Sequence, residues 1–348
     1  MWLEGGLAGA ILALTACAGS WAAAAAPLSD LATLPGWARE DHVAALRAVQ
    51  GACAVSRDPA LRDVCGQAAA LDWLDEAGAR DFLESHFRAA SLGEGGRLTG
   101  YFMPVYEASP VRYGDFTAPV RPVPADLPAR DSTPAGHVRY ADREAIDARS
   151  SFGALAWMRP EDLFFMQIQG SGVLAFTGGS RQKAVFAGDN GAPFVGIAAP
   201  MRARGLLGDQ QTSGEAIHAW LASHRGAEAE AIMRLDPRYV FFSLTPDDGG
   251  DPFGAAGVRL VSGRSLAVDP AWHGMGELLW IDAAAPALAG AFPAYRRLAV
   301  ALDTGGAIKG AVRADLYLGR GAAAGAEAGR VRHTLSLYRL VPIGRPAE

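Results

Sequence analysis

Near the C-terminal end of the chain, acids stand at the ends of apolar runs and glycines fill the space between them. Leu298-Ala299-Val300-Ala301-Leu302 is an apolar run of strand length, and Asp303 follows it directly. A Thr304-Gly305-Gly306 turn and Ala307-Ile308-Lys309-Gly310 come next, then Asp315 ahead of Leu316-Tyr317-Leu318. Acids at strand ends joined through glycine form a pattern that aims carboxylates into one cleft. Glycine there supplies backbone with positive φ, or lets another chain come close. Asp269 repeats the arrangement, after Leu266-Ala267-Val268 and before Pro270. An aspartate between a strand and Gly or Pro also forms turns on its own account, and spacing alone leaves both readings open.

Asp269-Pro270, the run 303–310 and Arg313-Ala314-Asp315 are followed by Gly319, Gly321, Gly325-Ala326 and Ala328-Gly329. Together they resemble the three-aspartate region of the membrane-bound lytic murein transglycosylase A family, a double-psi β-barrel segment. Three upstream stretches extend the likeness. Thr99-Gly100-Tyr101-Phe102-Met103-Pro104 is similar to the family's Thr-Gly-Tyr-(Tyr/Phe)-x-Pro, and Gln169-Gly170-Ser171-Gly172 to its Gln-Gly-Ser-Gly. Leu235-Asp236-Pro237-Arg238-Tyr239-Val240-Phe241-Phe242 resembles the family's Asn-Pro-Ser-Tyr-Val-Phe-Phe. The chain departs from the pattern at Trp272-His273-Gly274-Met275-Gly276, where an Ile-Pro-x-Gly-like turn is usual.

The totals bound the function class. A chain of 348 residues, half of them hydrophobic and a fifth charged, can bury one large or two ordinary cores. A net charge of −5 leaves no basic footprint for nucleic acid. Residues 5–16 are a short apolar segment, and Leu14-Thr15-Ala16-Cys17 resembles a bacterial lipobox, so Cys17 is the candidate lipidation site. The segment before it, Met1-Trp2-Leu3-Glu4, lacks a basic residue, and cleavage within 21–26 to a soluble periplasmic form is the alternative. Ala18 after the cysteine gives no inner-membrane retention, so the outer membrane is the expected anchor. Cys53 and Cys65 form either a disulfide or a pair of buried thiols. The histidines lack metal-ligand spacing, the acidic run 247–251 lacks the later glutamate of an EF-hand, and no dinucleotide or phosphate loop is present. Neither a metal nor a cofactor is expected.

In chain order, residues 37–55, 61–74 and 79–87 read as helices, the last stopped by Gly93 and Gly95-Gly96. Residues 98–106 form an aromatic strand; its composition fits an ordinary aromatic core, and its Tyr and Thr oxygens also suit a glycan groove. Residues 116–129 are a proline-rich connection. From Phe164 the chain alternates, with Phe164, Met166 and Ile168 on one face and Phe165, Gln167 and Gln169 on the other. That predicts a strand whose two glutamines face either water or a polar ligand, and the likeness of Gln169-Gly170-Ser171-Gly172 to the family's Gln-Gly-Ser-Gly implies that Gln167 and Gln169 line the groove. Asp189-Asn190-Gly191 predicts a hairpin-type turn, 213–224 a helix, 235–242 a buried strand and 331–340 a closing strand.

The resemblance implies a mainly β fold with flanking helices. Residues 27–103 and 240–348 would make a double-psi β-barrel domain, 104–239 an inserted smaller β-rich domain, and the substrate groove would lie between them. Residues 1–26 would be signal, lipobox and linker. It further implies cleavage of the β-1,4 bond between N-acetylmuramic acid and N-acetylglucosamine, leaving a 1,6-anhydro sugar. Asp315 would be the acid/base, Asp303 its support and Asp269 a structural acid, with Tyr101, Gln169, Gly170, Ser171 and Lys309 touching substrate. Peptidoglycan glycan strands are the expected partner, a cell-wall enzyme complex is a further candidate, and a lipid anchor is the only expected tie to a membrane. Two rivals stand beside this reading: a double-psi-barrel glycoside hydrolase using two aspartates, and a non-catalytic peptidoglycan-binding lipoprotein.

Overall fold

The computed structural model describes residues 27–71, 75–128, 140–208, 213–286 and 294–343. The export signal and Cys17 lie outside the described residues. Along the chain come β1 (Leu28–Asp30), α1 (His42–Cys53), α2 (Leu61–Ala69), α3 (Glu76–His86), β2 (Phe87–Met103), β3 (Val105–Ala108) and β4 (Ala118–Val120). Next are α4 (Arg143–Asp147), β5 (Ala156–Met158), α5 (Pro160–Gln169), β6 (Ser171–Phe176), β7 (Arg181–Asp189), α6 (Ala198–Ala203), α7 (Gly214–Ser223) and α8 (Ala227–Met233). The chain finishes with β8 (Val240–Pro246), β9 (Ser265–Val268), β10 (Leu278–Pro286), β11 (Ala294–Thr304), β12 (Arg313–Arg320), α9 (Gly321–Ala328) and β13 (Arg332–Pro342).

The large sheet runs β1-β2-β12-β9-β11-β10-β13, and β13 pairs back onto β2, so six strands close into a barrel with β1 at its margin. This mainly β architecture with flanking helices is the fold class expected from the sequence. The barrel explains why the run before Asp303 has no polar alternation, since both of its faces are covered. Ala299 and Ala301 point into the barrel beside Leu98, Leu266, Val268, Ala314, Leu316 and Leu337. Leu298, Val300 and Leu302 point outward, into a second core with Trp37, Leu46, Val49 and Leu83 of the helical layer. A disulfide between Cys53 and Cys65 ties α1 to α2 within that layer. The first helix is shorter than the predicted span 37–55: Trp37–Arg39 forms a 3₁₀ turn, and Asp41 caps α1 by accepting from Ala44 N at 2.8 Å.

A second sheet, β3-β6-β7-β8, lies with β4-β5 and helices α4 to α8 in the middle of the chain. Three expectations are corrected here. The stretch read as an alternating strand is α5, because Pro160 opens it, Glu161 and Asp162 occupy its first turn, and Gly170 at φ 81° ends it. Its side chains feed two cores, Leu163 and Met166 toward β6 and β8, Phe164 toward α6 to α8. Gln167 is therefore buried away from any groove; its Oε1 accepts from Arg143 Nη1 at 2.6 Å and its amide donates to Val240 O at 3.3 Å. Second, 189–191 is no hairpin, since β7 runs beside β8, and buried Asn190 instead bonds Ala141 O, Pro237 O and Tyr239 N at 2.9 Å each. Third, Gly93 and Gly95 lie inside β2 and do not stop a helix. At Gly96 a Cβ would meet Val312 O at 1.9 Å, a close approach only glycine allows.

The acidic run 247–251 is a loop pinned by ion pairs. Arg320 donates to both oxygens of Asp247 at 2.9 and 2.8 Å, Lys183 and Arg259 pair with Asp248, and the Tyr317 hydroxyl donates to Asp251 at 2.8 Å. The loop thus connects β7 of the second sheet with β12 of the barrel.

Candidate active site

Strand register assembles the site. Ala267 of β9 pairs with Asp315 of β12 on one side and with Asp303 of β11 on the other. Asp315 in turn pairs with Thr99 of β2. The four residues form one row across four strands. Neighbouring strands lie about 4.8 Å apart, so the Cα atoms of the two aspartates stand roughly 10 Å apart across Ala267. Parity on β12 turns Asp315 outward, since Ala314 and Leu316 fill the barrel. Asp303 reaches the same face through an irregularity. Register slips between Ala301 and Asp303, leaving Leu302 unpaired, and this bulge turns both Leu302 and Asp303 away from the barrel interior.

Each carboxylate has its own environment. Burial pushes Asp315 up to about 6, and the negative charge of Asp303 adds to the rise; the Thr99 hydroxyl, donating at 2.6 Å, and the Arg313 cation work against it. Asp303 is also raised by burial, while donors hold its charge: Thr304 N at 2.9 Å, Ala255 N at 3.0 Å and the Tyr101 hydroxyl at 2.9 Å. Burial and the adjacent Asp303 charge lift the Tyr101 hydroxyl well above its ordinary range, so it stays a donor. Its ring lies 5.3 Å from that of Tyr317. Asp269 behaves oppositely. The Gly310 amide at 2.9 Å, the Ala271 amide at 3.2 Å and the Lys309 ammonium at 3.7 Å hold it below the usual carboxylate range. It ties the turn after β9 to the turn after β11.

A cleft of about 1140 Å³ opens over this row. Asp303, Asp315, Tyr101, Gln169, Gly170, Ser171 and Lys309 all line it, while Asp269 sits behind Pro270. Gln169 Oε1 accepts from Phe102 N at 3.4 Å, which fixes the end of α5 against β2. Four other residues of the cleft were not among the candidate site residues. Thr99 was legible in principle, being two residues from Tyr101 on one strand face. Ala267, the Ala255 amide and Arg238 had no signal, since two are an unremarkable alanine or its backbone and the third is an isolated cation.

Comparison with known proteins agrees with this architecture along its length. Residues 97–243 match the family model described as the MltA specific insert domain, and residues 264–341 match the 3D domain. The membrane-bound lytic murein transglycosylase A of Escherichia coli (strain K12) is 34% identical over 241 residues, covering 68% of this chain and 63% of that protein. The match thus spans less than two thirds of that relative's length. The solved lytic transglycosylase LtgG of Burkholderia pseudomallei is 31% identical with a TM-score of 0.63, covering 92% of this chain and 97% of that one. The structure of E. coli MltA with bound chitohexaose is 28% identical with a TM-score of 0.69, covering 92% of both chains. The closed barrel with its second sheet is thus a fold shared with solved lytic transglycosylases. The chain belongs to the membrane-bound lytic murein transglycosylase A family.

Proposed function

We propose that this chain is a peptidoglycan lytic transglycosylase, cleaving the β-1,4 bond between N-acetylmuramic acid and N-acetylglucosamine and closing a 1,6-anhydro ring. The observation that carries the reading is Asp315, a cleft-facing carboxyl pushed up to about 6 with one hydroxyl donor on it. Such a group holds a proton in weakly acid conditions and can release it to a leaving oxygen. As the bond from C1 to the leaving oxygen breaks, the Asp315 proton goes to that oxygen. The muramic C6 hydroxyl then attacks C1, and its proton returns to the Asp315 carboxylate. Atoms balance without water, because proximity within one sugar replaces an external nucleophile.

A hydrolase needs a second carboxylate free to attack or to activate water. Asp303 is poorly suited to that, with its two oxygens engaged by two amides and a tyrosine hydroxyl. Its role in this proposal is to hold negative charge beside Asp315 and orient the cleft, with Asp269 bracing the two turns. Tyr101, Gln169, Gly170, Ser171 and Lys309 contact the glycan. The chitohexaose bound by the E. coli family member, a chain of β-1,4-linked amino sugars, supports a groove for such strands.

The same proposal divides the chain into a catalytic domain of 27–103 and 240–348 and an inserted domain of 104–239. It places the protein in the periplasm, lipid-anchored at Cys17 to the outer membrane, within reach of other cell-wall enzymes. Among the described residues no helix is long and apolar enough to cross a membrane. Labelled palmitate incorporated by the wild type and not by Cys17→Ala checks the anchor. Mass spectrometry of digested sacculi checks the reaction: products one water lighter than hydrolysis products support it, and reducing-end products refute it.

A further inference from the structure

Arg238 lines the same cleft but serves neither carboxylate of the row. Its backbone is fixed from three directions. Its N–H donates to Asp236 Oδ1 at 3.2 Å, its carbonyl accepts from Arg143, and the carbonyl of Pro237 before it accepts from Asn190 at 2.9 Å. The side chain, 19% exposed, reaches from the start of β8 to the turn after Asp303. Its guanidinium carbon would lie 3.8 Å from a Cβ at Gly306. Because Gly306 has no side chain, the guanidinium edge stays open to the cleft. Among the described residues only Asp189 accepts from that guanidinium, by one bond of 3.1 Å from Nη2. Nε and Nη1 keep their donors for something else. Lys309, on the same turn, is 66% exposed and only loosely paired with Asp269 at 3.7 Å.

In a cleft lined by Asp189, Asp303 and Asp315 and also by Arg313 and Arg332, Arg238 and Lys309 are two cations with spare donors at one turn, a place that suits an anion. A planar guanidinium fork suits a carboxylate. Of the two sugars in the proposed substrate, only the muramic residue carries an acid, on O3 of the ring whose C1 reacts. On the transglycosylase reading that ring sits at Asp315, in the cleft that Arg238 and Lys309 also line. We propose that Arg238, with Lys309 beside it, forms a carboxylate-binding subsite that recognises the acidic substituent of the muramic sugar. This rests on the transglycosylase reading above. The subsite selects muramic over plain glucosamine at the position whose C1 is cleaved. In peptide-free strands the carboxylate is the lactyl group's own, and in peptide-bearing strands it belongs to the stem peptide.

Calorimetry on the full chain with Asp315→Asn, which prevents turnover, tests the subsite with three probes. These are chitohexaose, a peptide-free muramic-containing oligosaccharide, and its peptide-bearing counterpart. Adding Arg238→Gln is expected to weaken at least one acidic probe about tenfold, which is about 1.4 kcal/mol. The Kd for chitohexaose should stay within twofold, and Arg238→Lys should recover part of the loss. Which acidic probe responds identifies the lactyl or the peptide carboxylate as the ligand. Equal weakening of all three probes would show that Arg238 merely props the turn, and no change with any probe would overturn the subsite outright. If the starting protein binds chitohexaose yet shows no preference for acidic probes, the subsite fails while the glycan reading stands. If it binds none of them, the proposed function itself fails.

Discussion

Replacing Asp315 with asparagine should stabilise the fold, by an amount that grows with pH. The carboxyl is raised from 3.8 to about 6, mainly by burial. At about 1.4 kcal/mol per unit, that is about 3 kcal/mol of preference for the protonated form in the folded state. The sign follows from linkage: a group whose folded pKa is raised contributes stability below its unfolded pKa, and that contribution is lost as pH rises through the folded value. The wild type therefore weakens between roughly pH 4 and pH 6, and above that window it carries the whole cost of a buried charge. Asparagine is neutral throughout and keeps an oxygen for the Thr99 hydroxyl, so it escapes the cost. Between about pH 4.5 and pH 8 the gap between variant and wild type should widen by about 2 kcal/mol. Part of the shift belongs to the Asp303 charge, so the titration is that of a coupled pair. Urea unfolding of both proteins at the two pH values measures the gap. A gap of the same size at both would mean that the Asp315 carboxyl is not raised, and the acid role would lose its physical basis.

The same electrostatics set the pH dependence of turnover. Activity as kcat/KM should fall as pH rises through about 6, where Asp315 loses its proton. Thr99→Val removes a donor that lowers this value, so the falling limb should move up by about one unit while kcat drops; an unmoved limb would refute the Thr99 contact. Ala267→Leu puts a large side chain between the two acids on the cleft floor, and should cut kcat/KM at least tenfold, as read by release of soluble products. A fully active Ala267→Leu enzyme would mean that the row across β9 is not where the substrate sits.

Part of the barrel was legible because β9 and the 298–302 stretch of β11 are buried on both faces, and short apolar runs of this kind stand next to acids. Asp303 and Asp315, at the ends of such runs, mark the cleft in the sequence itself. What the pattern could not show is the bulge at Leu302, since a slipped register leaves no trace in composition. Without it Leu302 would take the place beside Ala267. The error at α5 has a similar origin. Phe164, Met166 and Ile168 alternate as a strand would, while Leu163, Met166 and Gln167 fit one helical face. Only Pro160 and Gly170 at the two ends, and burial against two separate cores, decide between them. Gln169 reached the cleft in spite of that error because it is the last residue of the helix. Ala255 acts through its amide, and a backbone donor on a loop is invisible in a list of side chains.

The central claim is that one carboxyl suffices because the substrate attacks itself. Digesting sacculi in heavy-oxygen water, with the wild type, Asp315→Asn and Asp303→Asn side by side, tests it most directly. The account predicts wild-type muramic products that carry no heavy oxygen, no detectable turnover by Asp315→Asn, and unlabelled products at a reduced rate from Asp303→Asn. One heavy oxygen in each wild-type product would mean that water enters at C1, and the intramolecular mechanism would be wrong.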